Sequence, residues 1–131
     1  MGLTLISVNK ASAEIRCPLV PNINHKGTAF GGSISAAHLL GCYAWLFHFL
    51  NIEKIEAHLV VKESRVQFFR PVERDFTVVC LAPELDLLQN FLKVLNKKGR
   101  AKLLLNSKIE DNNSILSAMA AEFVATRSHT D

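Results

Sequence analysis

From Ser33 to Leu50 nearly every position is apolar, and only Ser33, Ser35, His38 and His48 interrupt the run. A stretch of that length is either a bilayer span or a helix covered on most sides by protein. Two histidines, a glycine-bearing polar entry and the lack of a second apolar span or a basic flank favour the buried helix. At about 1.5–3 kcal/mol per large side chain, burial of residues such as Leu39, Trp45, Leu46 and Phe49 would make it the main source of core stability.

The other segments read as strands, with one further helix. Leu3 to Val8 and Ala13 to Pro18 alternate apolar and polar positions around Asn9–Ser12, the pattern of an opening strand pair stopped by Pro18 and Pro21. Glu56 to Val72 is rich in Val and Phe and predicts one long strand, or two broken near Lys62–Ser64, ended by Pro71. Phe76 to Leu81 is a short β-branched run. Leu85, Leu88, Leu92 and Leu95 then recur at helical spacing, with Pro83 at a first helical position and a Lys97-Lys98-Gly99 stop. Ala101–Ile109 and Ser114–Ala125 flank the turn-prone Asp111-Asn112-Asn113 and predict a closing hairpin. The tail from Thr126 is polar and is expected to fray. The order predicts an α+β fold in which an antiparallel sheet wraps one long central helix.

Size and charge narrow the function classes. The 131 residues suit one domain, 1–131, and 49% hydrophobic content is enough for a real core. A net charge of +3 without aromatics interleaved among the cations gives no case for nucleic acid as a partner, and the helix reading gives none for a membrane. Cys17, Cys42 and Cys80 form no CxxC pair and suit reduced thiols. With no signal-peptide pattern at the N-terminus, the expected location is cytoplasmic.

The chemistry concentrates in the loop ahead of the long helix. Gly27, Gly31 and Gly32 are half of the six glycines, placed where backbone turns sharply or approaches something closely. The helix that opens at Gly32-Ser33 offers unpaired N–H groups and the positive end of its dipole to an anion or a polarised carbonyl oxygen.

Asn24-His25-Lys26-Gly27-Thr28-Ala29-Phe30-Gly31-Gly32-Ser33 and the stretch Ser64-Arg65-Val66-Gln67-Phe68-Phe69-Arg70-Pro71-Val72 resemble the hotdog-fold thioesterase superfamily, in particular the thioesterase family typified by the YiiD C-terminal domain. The resemblance extends from about Leu3 to Arg127. It implies a hotdog dimer, or a dimer of dimers, with an acyl thioester bound at the subunit interface and its carbonyl at the N-terminus of the long helix. The substrate would be carried on CoA or on acyl carrier protein, so that CoA or phosphopantetheine enters as part of the substrate and no separate cofactor is needed. Single-domain relatives also include malonyl-ACP decarboxylases, which supply acetyl-ACP for fatty-acid synthesis. The sequence departs from the commoner pattern in two ways: Phe30 stands where many relatives carry His, and the helix has no carboxylate. Both count against carboxylate-driven hydrolysis.

Within that frame Asn24 is the first catalytic candidate, since a neutral amide can bond a thioester or enolate oxygen or orient a water; the alternative is an Asx turn that closes the loop. Gly31 and Gly32 would supply backbone donors. Glu63 is the fallback general base, or else a solvated strand charge. His25, Gly27, Thr28, Phe30, Ser33, Tyr43, Arg65 and Arg70 make up the expected substrate-binding set, with Ser33 also a helix cap or first-turn residue. His38 and Cys42, four apart, superficially resemble a Cys–His dyad, but small apolar thiols are usually packing residues. No set of metal ligands emerges.

Overall fold

The computed structural model describes residues 1–128. Strands β1 (Thr4–Val8) and β2 (Ser12–Cys17) are followed by a 3-10 turn (Val20–Asn22) and the loop into helix α1 (Gly31–Ile52). Then come β3 (Ala57–Phe68), β4 (Phe76–Leu81), helix α2 (Leu85–Lys98), β5 (Arg100–Asp111) and β6 (Ser114–Arg127). The six strands form one antiparallel sheet in the order β1-β2-β4-β5-β6-β3, so β1 and β3 are its edges. This is the hotdog architecture, with α1 lying in the curve of the sheet.

The alternation read from the sequence becomes the two faces of that sheet. In β5, Ala101, Leu103, Leu105, Ser107 and Ile109 are buried beneath α1 and α2, and the residues between them point outward. α1 contributes Cys42, Trp45 and Leu46, all fully buried, and Trp45 stacks on Phe49 with ring centroids 5.1 Å apart. By length and composition α1 could cross a bilayer, yet this face of it lies inside the fold. Gly41 is where helix and sheet come closest: a Cβ there would lie 3.3 Å from Val78 and 3.7 Å from Ile15.

The opposite side of α1 is uncovered. Leu40, Tyr43 and Phe47, at i, i+3 and i+7, are 40–50% exposed, and Tyr43 stacks on Phe47 at 6.1 Å. Beside them runs the twelve-residue edge strand β3, with Val60, Val61 and Phe68 also exposed.

Several boundaries differ from the sequence reading. α1 begins at Gly31 and runs to Ile52, and its N-cap is Phe30, which offers no capping side chain; Ser33 therefore sits in the first turn. β3 is one strand, and its apparent break is a bulge between Val61 and Glu63. Pro83 lies ahead of α2, whose N-cap is Glu84. Thr126 and Arg127, expected in a frayed tail, pair with β5 and β3; the tail from 129 onward lies outside the described residues. The turn at Asn112-Asn113 forms as expected, with both residues at positive φ, and Gly99 ends α2 in the left-handed conformation.

Candidate active site

The loop entering α1 is anchored by a buried asparagine. Asn22 donates through Nδ2 to the carbonyls of Met1 and Pro18, both at 2.8 Å, and its backbone carbonyl accepts the Phe30 N–H at 2.7 Å. The sequence reading passed over Asn22; its position just after Pro21 carried no signal to distinguish it from any other loop asparagine. The loop's far side is tied to the end of the β3 segment, where the Ala29 N–H donates to Val72 O at 2.8 Å. That bond brings the two sequence motifs together.

Asn24 closes the turn between these anchors. Its Oδ1 accepts the N–H groups of Lys26 (2.9 Å) and Thr28 (3.2 Å), while its Nδ2 donates to Thr28 Oγ1 at 2.8 Å and approaches Ala29 O at 3.5 Å. All the bonding capacity of the amide is thus engaged within the loop. The Asx-turn alternative describes this geometry, which leaves the Asn24 amide no free group for a ligand. Because Thr28 Oγ1 accepts from Asn24, its own proton is available to donate. Gly27, at φ +83°, makes the turn possible.

Thr28, Ala29, Gly31, Ile34 and the run Phe68–Val72 line a cleft of about 310 Å³. At its base the first bond into the helix is Ile34 N–H to Phe30 O at 3.0 Å. Among the described residues the N–H groups of Gly31, Gly32 and Ser33 have no acceptor. The Phe68 ring lies 3.6 Å from where a Gly31 Cβ would be, and the Phe30 ring lies 2.5 Å from where a Gly32 Cβ would be. Both glycines therefore leave room for an aromatic ring over the helix end. The result is a small apolar slot with backbone donors, the positive end of a 22-residue helix and one hydroxyl at its base.

The remaining candidates fall in four places. Arg70 lines the cleft; His25 is solvent-exposed on the loop. Tyr43 is three turns along α1 on the uncovered face. Glu63 and Arg65 point to the outer side of the sheet, in a separate depression with Leu104, Ala120 and Glu122. Glu63 is opposite Glu122, two strand positions from the inward-facing Val61 and past the bulge that turns it outward. Within the chain it is therefore not a base for the cleft. No group of metal ligands occurs among the described residues.

The His38–Cys42 pairing is not made. His38, fully buried, has Nδ1 2.7 Å from Ser107 Oγ and Nε2 2.9 Å from Ser117 Oγ, and Ser117 Oγ donates to Gln67 O at 2.9 Å. Since Ser117 gives its proton to Gln67, it accepts from Nε2–H, and Nδ1 accepts from Ser107. Burial pushes the imidazole pKa down to about 4, consistent with this neutral form. The chain of bonds fastens α1 to β5, β6 and, next to Phe68, β3. Cys42 instead lies against Cys80, and the thiol–thiol interaction together with burial raises the Cys80 pKa well above its usual range.

The family described as "Putative thioesterase (yiiD_Cterm)" matches residues 1–127. No curated protein matches the sequence. Among solved structures, a protein of unknown function from Chlorobaculum tepidum is 28% identical, with a TM-score of 0.92 over 98% of this chain and 84% of that one. A "putative thioesterase" from Shewanella oneidensis (20% identity, TM-score 0.84, 96% and 85% covered) shares the fold. So does a "probable thioesterase" from Pseudomonas aeruginosa (20%, 0.80, 97% and 84%). The chain belongs to the putative thioesterase family of YiiD C-terminal type and has its hotdog fold.

Proposed function

We propose that this protein is a homodimeric hydrolase of acyl thioesters. The observation that carries the reading is the cleft at the start of α1, where Gly31, the first of three residues with unpaired N–H groups, and Thr28 meet an apolar wall. The thioester oxygen lies against the Gly31/Gly32 donors and the acyl chain against Ile34 and Phe68. Water adds to the carbonyl carbon, negative charge collects on the oxygen where the helix end stabilises it, and the C–S bond then breaks to release acid and thiol. One such donor is worth about 2.7–4 kcal/mol of barrier in other acyl-transfer sites.

A second copy completes the protein in this reading. An edge strand of twelve residues beside exposed Leu40, Tyr43 and Phe47 is a liability for a lone chain, and an isologous pairing of β3 with its counterpart covers both at once.

A second reading rests on one specific feature. The helix has no carboxylate and Phe30 offers no base, whereas loss of CO2 from a malonyl thioester needs only stabilisation of the enolate, which the same donors provide. Incubation with acyl-CoAs, acyl carrier proteins and malonyl carrier protein, following free thiol and CO2 separately, decides. Thiol release supports hydrolysis, CO2 with the thioester retained supports decarboxylation, and tight binding with neither makes the protein a binding module.

A further inference from the structure

The two walls of the cleft belong to elements that no backbone ladder joins. Gly31 and Ile34 come from the first turns of α1, whereas Phe68 and Phe69 come from the end of the edge strand β3 and the residue beyond it. β3 pairs only with β6 among the described residues, and past Phe68 the N–H groups of Phe69 and Arg70 share one acceptor, Leu116 O, at 2.8 and 3.2 Å. A strand end held on one side hinges readily, and the Phe68 ring, 54% exposed, would move with it.

One run of side-chain bonds ties these walls together. His38 lies one turn beyond Ile34 on the same face of α1, about 10 Å along the axis from Gly31. Its Nδ1 accepts from Ser107 Oγ in β5, its Nε2–H is given to Ser117 Oγ in β6, and Ser117 Oγ donates to the carbonyl of Gln67, the residue before Phe68. Among the described residues that last bond is the one side-chain hydrogen bond to the end of β3. His38, Ser107 and Ser117 are all buried, and three polar side chains are costly there unless every bond is made, which holds each in one geometry. Filling the core does not require them, since apolar groups of the same shape would serve. Fixing Gln67 O relative to α1 does.

We infer that His38 is a positioning residue for the cleft: through Ser117 and Gln67 it sets how far Phe68 stands from the Gly31 end of α1, and thereby which acyl chains the slot accepts. The inference rests on the thioester reading, which puts the acyl chain against Phe68. The Phe68 ring is 3.6 Å from where a Gly31 Cβ would be, already at contact distance. A small shift of the strand end therefore changes the width of the slot, and close-packed walls register changes as small as one methylene.

The test replaces the tie with apolar groups, in Ser107→Ala/His38→Leu/Ser117→Ala, so that no polar partner is left buried and unpaired. Acyl-CoAs of increasing chain length are assayed with the wild type, with this variant and with His38→Gln, whose amide offers an acceptor to Ser107 and a donor to Ser117. The expected result is that the kcat/KM advantage of the preferred chain over one about four carbons longer falls roughly tenfold in the apolar variant and is kept in His38→Gln. A general loss of stability would lower all chain lengths alike. Unchanged selectivity in the apolar variant, no chain preference in the wild type, or an equal loss in His38→Gln overturns the inference. Ser117→Ala, which cuts the bond to Gln67, is read in the same way should the triple variant not fold. Amide exchange separates the inference from the thioester reading: if no acyl-CoA is turned over, that reading fails. Faster exchange of the Phe69 and Arg70 amides in the apolar variant, with wild-type exchange in His38→Gln, then still supports the tie, and any other pattern overturns it.

Discussion

The Asn24 amide donates to Thr28 Oγ1 at 2.8 Å, which leaves the hydroxyl proton of this cleft-lining residue free to donate. The loop asparagine and the cleft hydroxyl therefore act as one unit. Thr28→Val is expected to lower turnover about a hundredfold with little change in Tm, and Thr28→Ser to retain most of it. Asn24→Ala, which frees the turn as well as the hydroxyl, is expected to lose most turnover and to cost about 1 kcal/mol of stability. Steady-state assays beside thermal melts check this, and wild-type turnover in Thr28→Val removes the hydroxyl from the site.

Phe30 and Gly32 are predicted to be energetically coupled. A methyl group at Gly32 meets the Phe30 ring at 2.5 Å, and the ring, 57% exposed, must swing away. Gly32→Ala alone is expected to destabilise, and in a Phe30→Ala background much less so. A urea double-mutant cycle should give a coupling of about 1 kcal/mol; strict additivity refutes the contact.

Acid should loosen the fold through His38. Its pKa is about 4 in the folded protein against an ordinary 6.5, so above pH 6.5 both folded and unfolded forms are neutral and the histidine has no effect on pH dependence. As pH falls from 6.5 towards 4 the unfolded chain takes up the proton first, and stability drops by about 3 kcal/mol before levelling. Urea denaturation between pH 7 and 4 should show this slope in the wild type and lose it in His38→Gln; an equal slope in both assigns the acid sensitivity elsewhere.

Light scattering should give about twice 14.5 kDa for the wild type, and Tyr43→Glu should move the mass towards 14.5 kDa. A wild-type mass of 14.5 kDa across working concentrations would sink the dimer.

Much of the fold was legible because it depends on local pattern. The apolar run of α1, the alternation in β5 and the Asn112-Asn113 turn each carry their periodicity or turn chemistry in adjacent residues. What could not be read depends on which face of a strand a residue takes. Glu63 looked available as a base until one bulged residue turned it outward, a register effect that no window of sequence contains. His38 gave the same lesson, since its partners Ser107 and Ser117 are 69 and 79 residues away. The cleft motifs were visible as strings, whereas the commitment of the Asn24 side chain to its own loop was visible only in the bond lengths.

α1 has no polar stripe: the residues facing away from the sheet, Leu40, Tyr43 and Phe47, are as oily as those facing it. If the proposed dimer forms, a newly synthesised chain finishes its own core and still displays an adhesive flank until it meets a copy of itself. Melting temperature should then rise with protein concentration, and substitutions on that flank that weaken pairing without adding charge will show up first as precipitation during expression.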